Sequence, residues 1–247
     1  MDTDLRRKIE QFVHANIGAF HEARIRNIQG LTLKTLLENK NPYLFRAKNL
    51  NTASEFVVAL LNARLSSSEE GSFGTFLEGL AVFVSAECGG GQKSPANGID
   101  IDLTRNSVRY LISVKSGKNW GNSSQYKALR QHFSDAVKVL KQSKHTGEIQ
   151  PTLGICYGHS KSINNGNYLR ISGQSFWHLL SDDRTLYTDI IEPLGYDAQK
   201  HEDAFTEQRS NALNRMTREF VIKYCDDAGA IDWKNLVSSI SGNLKAE

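Results

Sequence analysis

The sequence is short of the features that mark many protein classes. Four prolines in 247 residues, with no low-complexity run or repeat, give no sign of long disordered tracts, so a single domain with its own core is the expectation. Its three cysteines, Cys88, Cys156 and Cys225, are far apart, odd in number and lack any CxxC spacing. That argues against a thiolate zinc site and a disulfide framework, and reads as buried, reduced thiols. No apolar run approaches the ~18–20 residues of a membrane helix. The opening Met1–Lys8 stretch is charged rather than an apolar leader core, so a soluble, cytoplasmic protein is expected. The seven histidines show no HExxH or comparable zinc spacing. Charge of one sign is also lacking: 30 Lys+Arg against 27 Asp+Glu leave a net +3. That balance permits nucleic-acid binding but would require a local basic groove.

Helical periodicity dominates the first third. Leu5, Ile9, Phe12, Val13, Ile17 and Phe20 recur at helical spacing. A short helix is expected at Leu33–Glu38, after which Asn41-Pro42 punctuates the chain. Thr52-x-x-Glu55 and Ser67-x-x-Glu70 both read as capping boxes that open helices, the second ending at Gly89-Gly-Gly91. The texture then changes. Ile99, Ile101 and Leu103 alternate with Asp100 and Asp102, the period-2 pattern of a half-buried strand. A turn at Thr104–Ser107 leads to a second strand, Val108–Val114, and a polar loop, Gly117–Ser124. Tyr126, Leu129, Phe133, Val137 and Leu140 predict a helix, Thr152–Tyr157 a buried strand, and Ser172–Leu180, Glu207–Cys225 and Ile231–Ile240 later helices. The order predicts an α/β or α+β fold: a central mixed sheet flanked by helices, with a helical N-terminal third. Within one domain it reads as a helical part (1–90), a catalytic core (91–160) and a helical C-terminal part (161–247). The strands flanking the Tyr126–Leu140 helix should be parallel neighbours.

The two strands after the glycines carry the chemistry. An odd-sum hairpin register sets Asp100 opposite Ser113 and gives Asp100, Asp102, Ser113 and Lys115 one face, with Ile99, Ile101, Ile112 and Val114 on the other. Aspartate is depleted in strands. Two of them beside a lysine suit phosphodiester hydrolysis, which needs charge neutralisation, a positioned water and a stabilised leaving group. A solvated, decorated sheet face is the plainer reading of the same residues.

Gly98-Ile-Asp100 followed by Ile112-Ser-Val-Lys115, within helix–strand–strand–helix–strand, resembles the PD-(D/E)XK nuclease core. Ser116–Gln125, Asn41–Lys48, Phe76-Leu-Glu-Gly79 and Ile191-Glu-Pro-Leu-Gly195 are similar to one branch of the type II restriction endonucleases. The resemblance covers most of the chain. It implies a restriction-endonuclease-like fold, double-stranded DNA as substrate, Mg²⁺ as cofactor, a homodimer, and a cognate methyltransferase as genetic partner. Asp100 matches the first acid of the motif and would ligate metal; Lys115 matches its lysine and would position or activate water. Ser113 stands where the second acid is expected. The candidate replacement is Glu78, a second metal ligand from the preceding helix, with Asp102 as the alternative. Gln125 would bond a water or a phosphate. Asn119, Trp120, Asn122 and Ser123 in the loop, with Lys127 and Arg130 on the following helix, are candidate DNA contacts, although a hydrogen-bonded turn accounts for the loop residues equally and a solvated helix face is the plainer reading of the two basic ones. A repair or structure-specific nuclease on the same core, or a degenerate protein that only binds DNA, are the rival expectations.

Overall fold

In the computed structural model the described residues are 3–143, 145–196 and 198–242; Met1 and Asp2 of the charged opening stretch lie outside them. Four helices lead the chain: α1 (Thr3–Gln29), α2 (Leu33–Glu38), α3 (Pro42–Ala47) and α4 (Ala53–Gly89). Then come β1 (Gln92–Lys93), β2 (Ile101–Arg105), β3 (Val108–Lys115), α5 (Ser123–Gln142), β4 (Glu148–Ile155), β5 (Ile163–Asn164) and β6 (Leu169–Ser172). The chain continues through α6 (Gln174–Ser181), α7 (Leu186–Asp189), α8 (Ile191–Gly195), α9 (Ala198–Tyr224) and α10 (Trp233–Ser241). It divides into two compact units: one takes the chain up to Gly18 and Phe73–Ala198, the other Ala19–Ser72 and the chain from Gln199. Among the described residues no helix is long and apolar enough to cross a membrane.

The second unit is helical, around a core that includes Leu33, Leu36, Phe56, Leu60, Met216 and Phe220. Its helix starts follow local chemistry. Asn41 caps α3, its side chain accepting from the Tyr43 and Leu44 N–H groups with Pro42 at the first helical position, so the expected punctuation is a helix start. Thr52 and Glu55 form the expected capping box, the Glu55 N–H donating to Thr52 Oγ1 and the Thr52 N–H to Glu55 Oε2. The second box is not a helix start. Ser67 lies inside the continuous 37-residue α4, where its hydroxyl donates to the Ala63 carbonyl four residues back.

The first unit carries a six-stranded mixed sheet, in the order β1-β2-β3-β4-β6-β5. β2 and β3 form an antiparallel hairpin. Its turn is Asn106-Ser107, both with positive φ (49° and 63°) as a tight two-residue hairpin demands. α5 crosses over to β4, which lies parallel to β3 as expected. β5 and β6 extend the sheet, so the region after residue 160 is not wholly helical; runs of two and four residues are too short to show a period.

The sheet's two faces have different cover. Leu111 and Leu153 share one with Leu129 and Phe133 of α5. On the other, Gly154 of β4 lies against the Phe176 ring of α6 and Ile112. Of the cysteines only Cys156 is buried; Cys88 and Cys225 are partly exposed, and all three are free.

A Cβ at Gly154 would collide with the Phe176 ring and stand 3.2 Å from Ile112 Cγ2. Gly154→Ala should therefore destabilise the protein by about 1–3 kcal/mol, the usual result of overpacking a core. A lowered urea midpoint measures it.

Candidate functional site

The site is built on an irregularity at the start of β2. Ile101 pairs with Ile112, yet the Asp100 N–H also donates to the Ile112 carbonyl, at 2.8 Å. Two residues of one strand facing one of its partner is the geometry of a β-bulge, which re-aims the side chain it carries. Asp100 is therefore not opposite Ser113. Its Oδ2 instead accepts the Val114 N–H at 2.7 Å. Ile99, one step further back, packs with Leu111, Leu129 and Phe133 on the α5 face rather than with Ile101.

The bulge brings the Asp100 carboxylate to Lys93 and Glu78. Lys93 pairs with Ile101 and so shares its sheet face. Its Nζ lies 2.6 Å from Glu78 Oε1 and 3.3 Å from Asp100 Oδ1. Glu78 comes from α4, where Phe76, Leu77 and Leu80 are buried beside it. The three side chains differ in exposure: Asp100 14%, Glu78 35%, Lys93 55%. Burial pushes the Asp100 carboxyl above the usual carboxylate range; the charge of Glu78 works the same way, while the Val114 N–H, Lys115 and Lys93 pull it back. Lys93 itself is raised: burial acts to lower it, but its hydrogen bond to Glu78 and the Asp100 charge outweigh that.

Lys115 ends β3, with its ammonium 5.3 Å from the Trp120 ring centroid, a cation–π contact. Among the described residues it has no carboxylate within ion-pair distance. Its charge nonetheless reaches Asp100 and the Cys156 thiol, which burial, aided by Glu78, pushes up to about 12.

Asp102 stands apart from this group. It pairs with Leu111 and accepts both Arg109 Nε (2.9 Å) and Nη2 (2.6 Å), with its side chain only 9% exposed. Ser113 is buried, and its Oγ has no hydrogen-bond partner among the described residues. In the loop, Asn122 is the cap of α5 and Gln125 closes a reciprocal capping box with it, so both side chains are engaged in starting the helix. Trp120 packs on Tyr126. Asn119, Ser123 and Lys127 are exposed. Arg130 joins Lys138, Lys141 and His145 in lining a cavity of about 750 Å³ near Glu148 at the start of β4, the strand whose other end pairs with Lys115.

Chemically, Asp100 and Glu78 suit a hard divalent cation such as Mg²⁺, which takes one or two protein carboxylates with water and substrate phosphate completing its shell. Among the described residues no group of three or more His, Cys, Asp or Glu side chains is placed to hold an ion. Lys93 was not foreseen from the sequence: a two-residue strand has no periodicity, and Gly89–Gly91 before it signals only a helix end.

Residues 7–202 match the family model described as type II restriction endonuclease EcoO109I. No curated protein matches the chain.

Two outcomes follow from the electrostatics. Asp100 is raised in the folded state, so the folded protein favours its protonated form. Stability is lost as pH rises through that raised value, and the protonated form is tolerated below the ordinary range near ~4. In chelator, Asp100→Asn should therefore melt higher than the parent at neutral pH, with the gap closing as pH falls toward ~4; calorimetry across pH reads this, and a gap that widens in acid would contradict it. Arg109→Leu strands the buried Asp102 carboxylate. It should cost roughly 2–4 kcal/mol in urea denaturation, somewhat below the range for a fully buried pair because Arg109 is partly solvated.

Proposed function

The chain belongs to the type II restriction endonuclease EcoO109I family, and from that premise we propose that it cleaves double-stranded DNA at a short recognition sequence in an Mg²⁺-dependent reaction. Family membership makes it an endonuclease, a hydrolase that binds DNA. The observation that carries the finer reading is the meeting of Asp100 and Glu78 around one cationic group, with Lys115 near enough for its charge to act on Asp100.

In this reading Asp100 and Glu78 hold the metal ion, with Glu78 standing in for the acid that Ser113 replaces. When bound, Mg²⁺ supplies Lewis acidity that offsets negative charge growing on the phosphoryl oxygens. The protein's own groups do the positioning. The Val114 N–H fixes the Asp100 carboxylate. Trp120 holds the Lys115 ammonium, which orients the attacking water by donating a hydrogen bond to its oxygen. The exposed Asn119, Ser123 and Lys127 lie along the loop and helix that follow Lys115, where a duplex approaching the site would meet them, and phosphate contacts from the α5 basic residues would make affinity fall with salt. Two copies of the chain, one for each strand, match the two-fold symmetry of a duplex site. The biological setting is a restriction–modification system in the cytoplasm, with a methyltransferase protecting host DNA.

Digestion of an unmethylated genome of known sequence, followed by sequencing of the ends, tests this directly. Discrete ends at one short sequence are expected with Mg²⁺ and none with chelator. Preference for branched or damaged DNA would assign a repair role instead. Asp100→Ala, Glu78→Ala and Lys115→Ala should each lower cleavage on the order of a hundred- to a thousandfold while duplex binding in chelator persists. Full activity in Glu78→Ala would remove it from the metal site.

A further inference from the structure

We propose that Lys93 is a built-in placeholder for the metal ion: its ammonium neutralises Asp100 and Glu78 until a divalent cation displaces it. The proposal rests on the metal-dependent reading above and adds a residue to it. One ammonium contacts an oxygen of each acid, the position from which an ion shared by the two would be held. Without a cation the two carboxylates repel each other across a pocket in which most of the Asp100 side chain is out of water. The Lys93 ammonium, touching an oxygen of each, offsets that repulsion and keeps the pair together.

The same ammonium is easily removed. Its side chain is more than half exposed and sits on a two-residue edge strand, so it can withdraw into water without opening the core. Lys115 does not share this place, being held over Trp120. A dication and the Lys93 ammonium cannot both touch the two acids without strong repulsion. Binding of one therefore weakens the other, and the protein alone should bind metal more weakly than its two carboxylates allow.

Mn²⁺ binding to the full chain without DNA, followed by calorimetry, tests this without reference to cleavage. Lys93→Gln should bind Mn²⁺ on the order of tenfold tighter than the parent, the effect of removing one unit charge at contact distance in a partly solvated site. Lys93→Arg keeps the charge and should stay close to the parent; Asp100→Asn should lose the binding. If Asp100→Asn loses Mn²⁺ but Lys93→Gln binds no tighter, the placeholder role is wrong and the metal site stands. A tenfold gain in Lys93→Arg as well would overturn the role too, because charge would not be its cause. If Asp100→Asn binds like the parent, the metal reading fails and takes this inference with it. Circular dichroism checks that each variant is folded, and Lys93→Met carries the same expectation as Lys93→Gln should the latter fail to fold.

Discussion

The bulge at Asp100, held by the Val114 N–H, is the constraint on which the site depends. With regular alternation from Ile99 to Leu103, Asp100 would follow Asp102 onto the α5 face, where Leu111, Leu129 and Phe133 pack. The extra residue turns its carboxylate instead to the side of Lys93, and α4 brings Glu78 to the same ammonium. The carboxylate is also tied to the backbone of the residue preceding Lys115. Acid and lysine are thus linked through a strand rather than a loop, the kind of rigid support that a catalytic arrangement needs.

Asp100 and Asp102 show how environment separates two identical side chains two residues apart. Asp102 is closed by a guanidinium with two short hydrogen bonds, fixed geometry and little solvent. Such a pair is costly to break, which suits a structural role. Asp100 is offered one backbone N–H and one exposed ammonium. Its charged form is disfavoured by burial, so the folded protein holds an acid that would gain from a stronger cation. Stability alone would favour an asparagine there, a common trade at functional positions.

The sheet, the parallel crossing to β4 and most helices were readable because each rests on a run long enough to show its period. Ile101, Leu103, Ile112 and Val114 mark buried strand positions; Leu129, Phe133 and Ala136 mark the buried stripe of α5. The bulge was not readable. Ile-Asp-Ile-Asp continues unbroken through residues 99–102, and only the hydrogen bonds of Asp100 reveal the missing step. Ser67 misled for a related reason: a serine followed three residues later by a glutamate has the same letters whether its hydroxyl caps a helix or bonds back inside one. Lys93 and Arg109 were hidden because their roles come from pairing across strands, which composition does not encode.

The serine at position 113 follows from the same geometry. Leu111, Ser113 and Lys115 lie on one row of β3, and Ser113 pairs with Leu153, itself fully buried. Ser113 is 1% exposed, and among the described residues its hydroxyl already lacks a partner. A carboxylate in that place would sit among leucines with its charge desolvated, at a cost of several kcal/mol unless a cation were always present. In the proposed role Glu78 would supply the same charge at a lower desolvation cost. It arrives on a helix, keeps about a third of its side chain in water, and has Lys93 beside it. In the proposed metal-binding role, the change of position for the second acid would be a change of solvation: Glu78 would bring its charge from a helix in partial contact with water, whereas position 113 is sealed against Leu153.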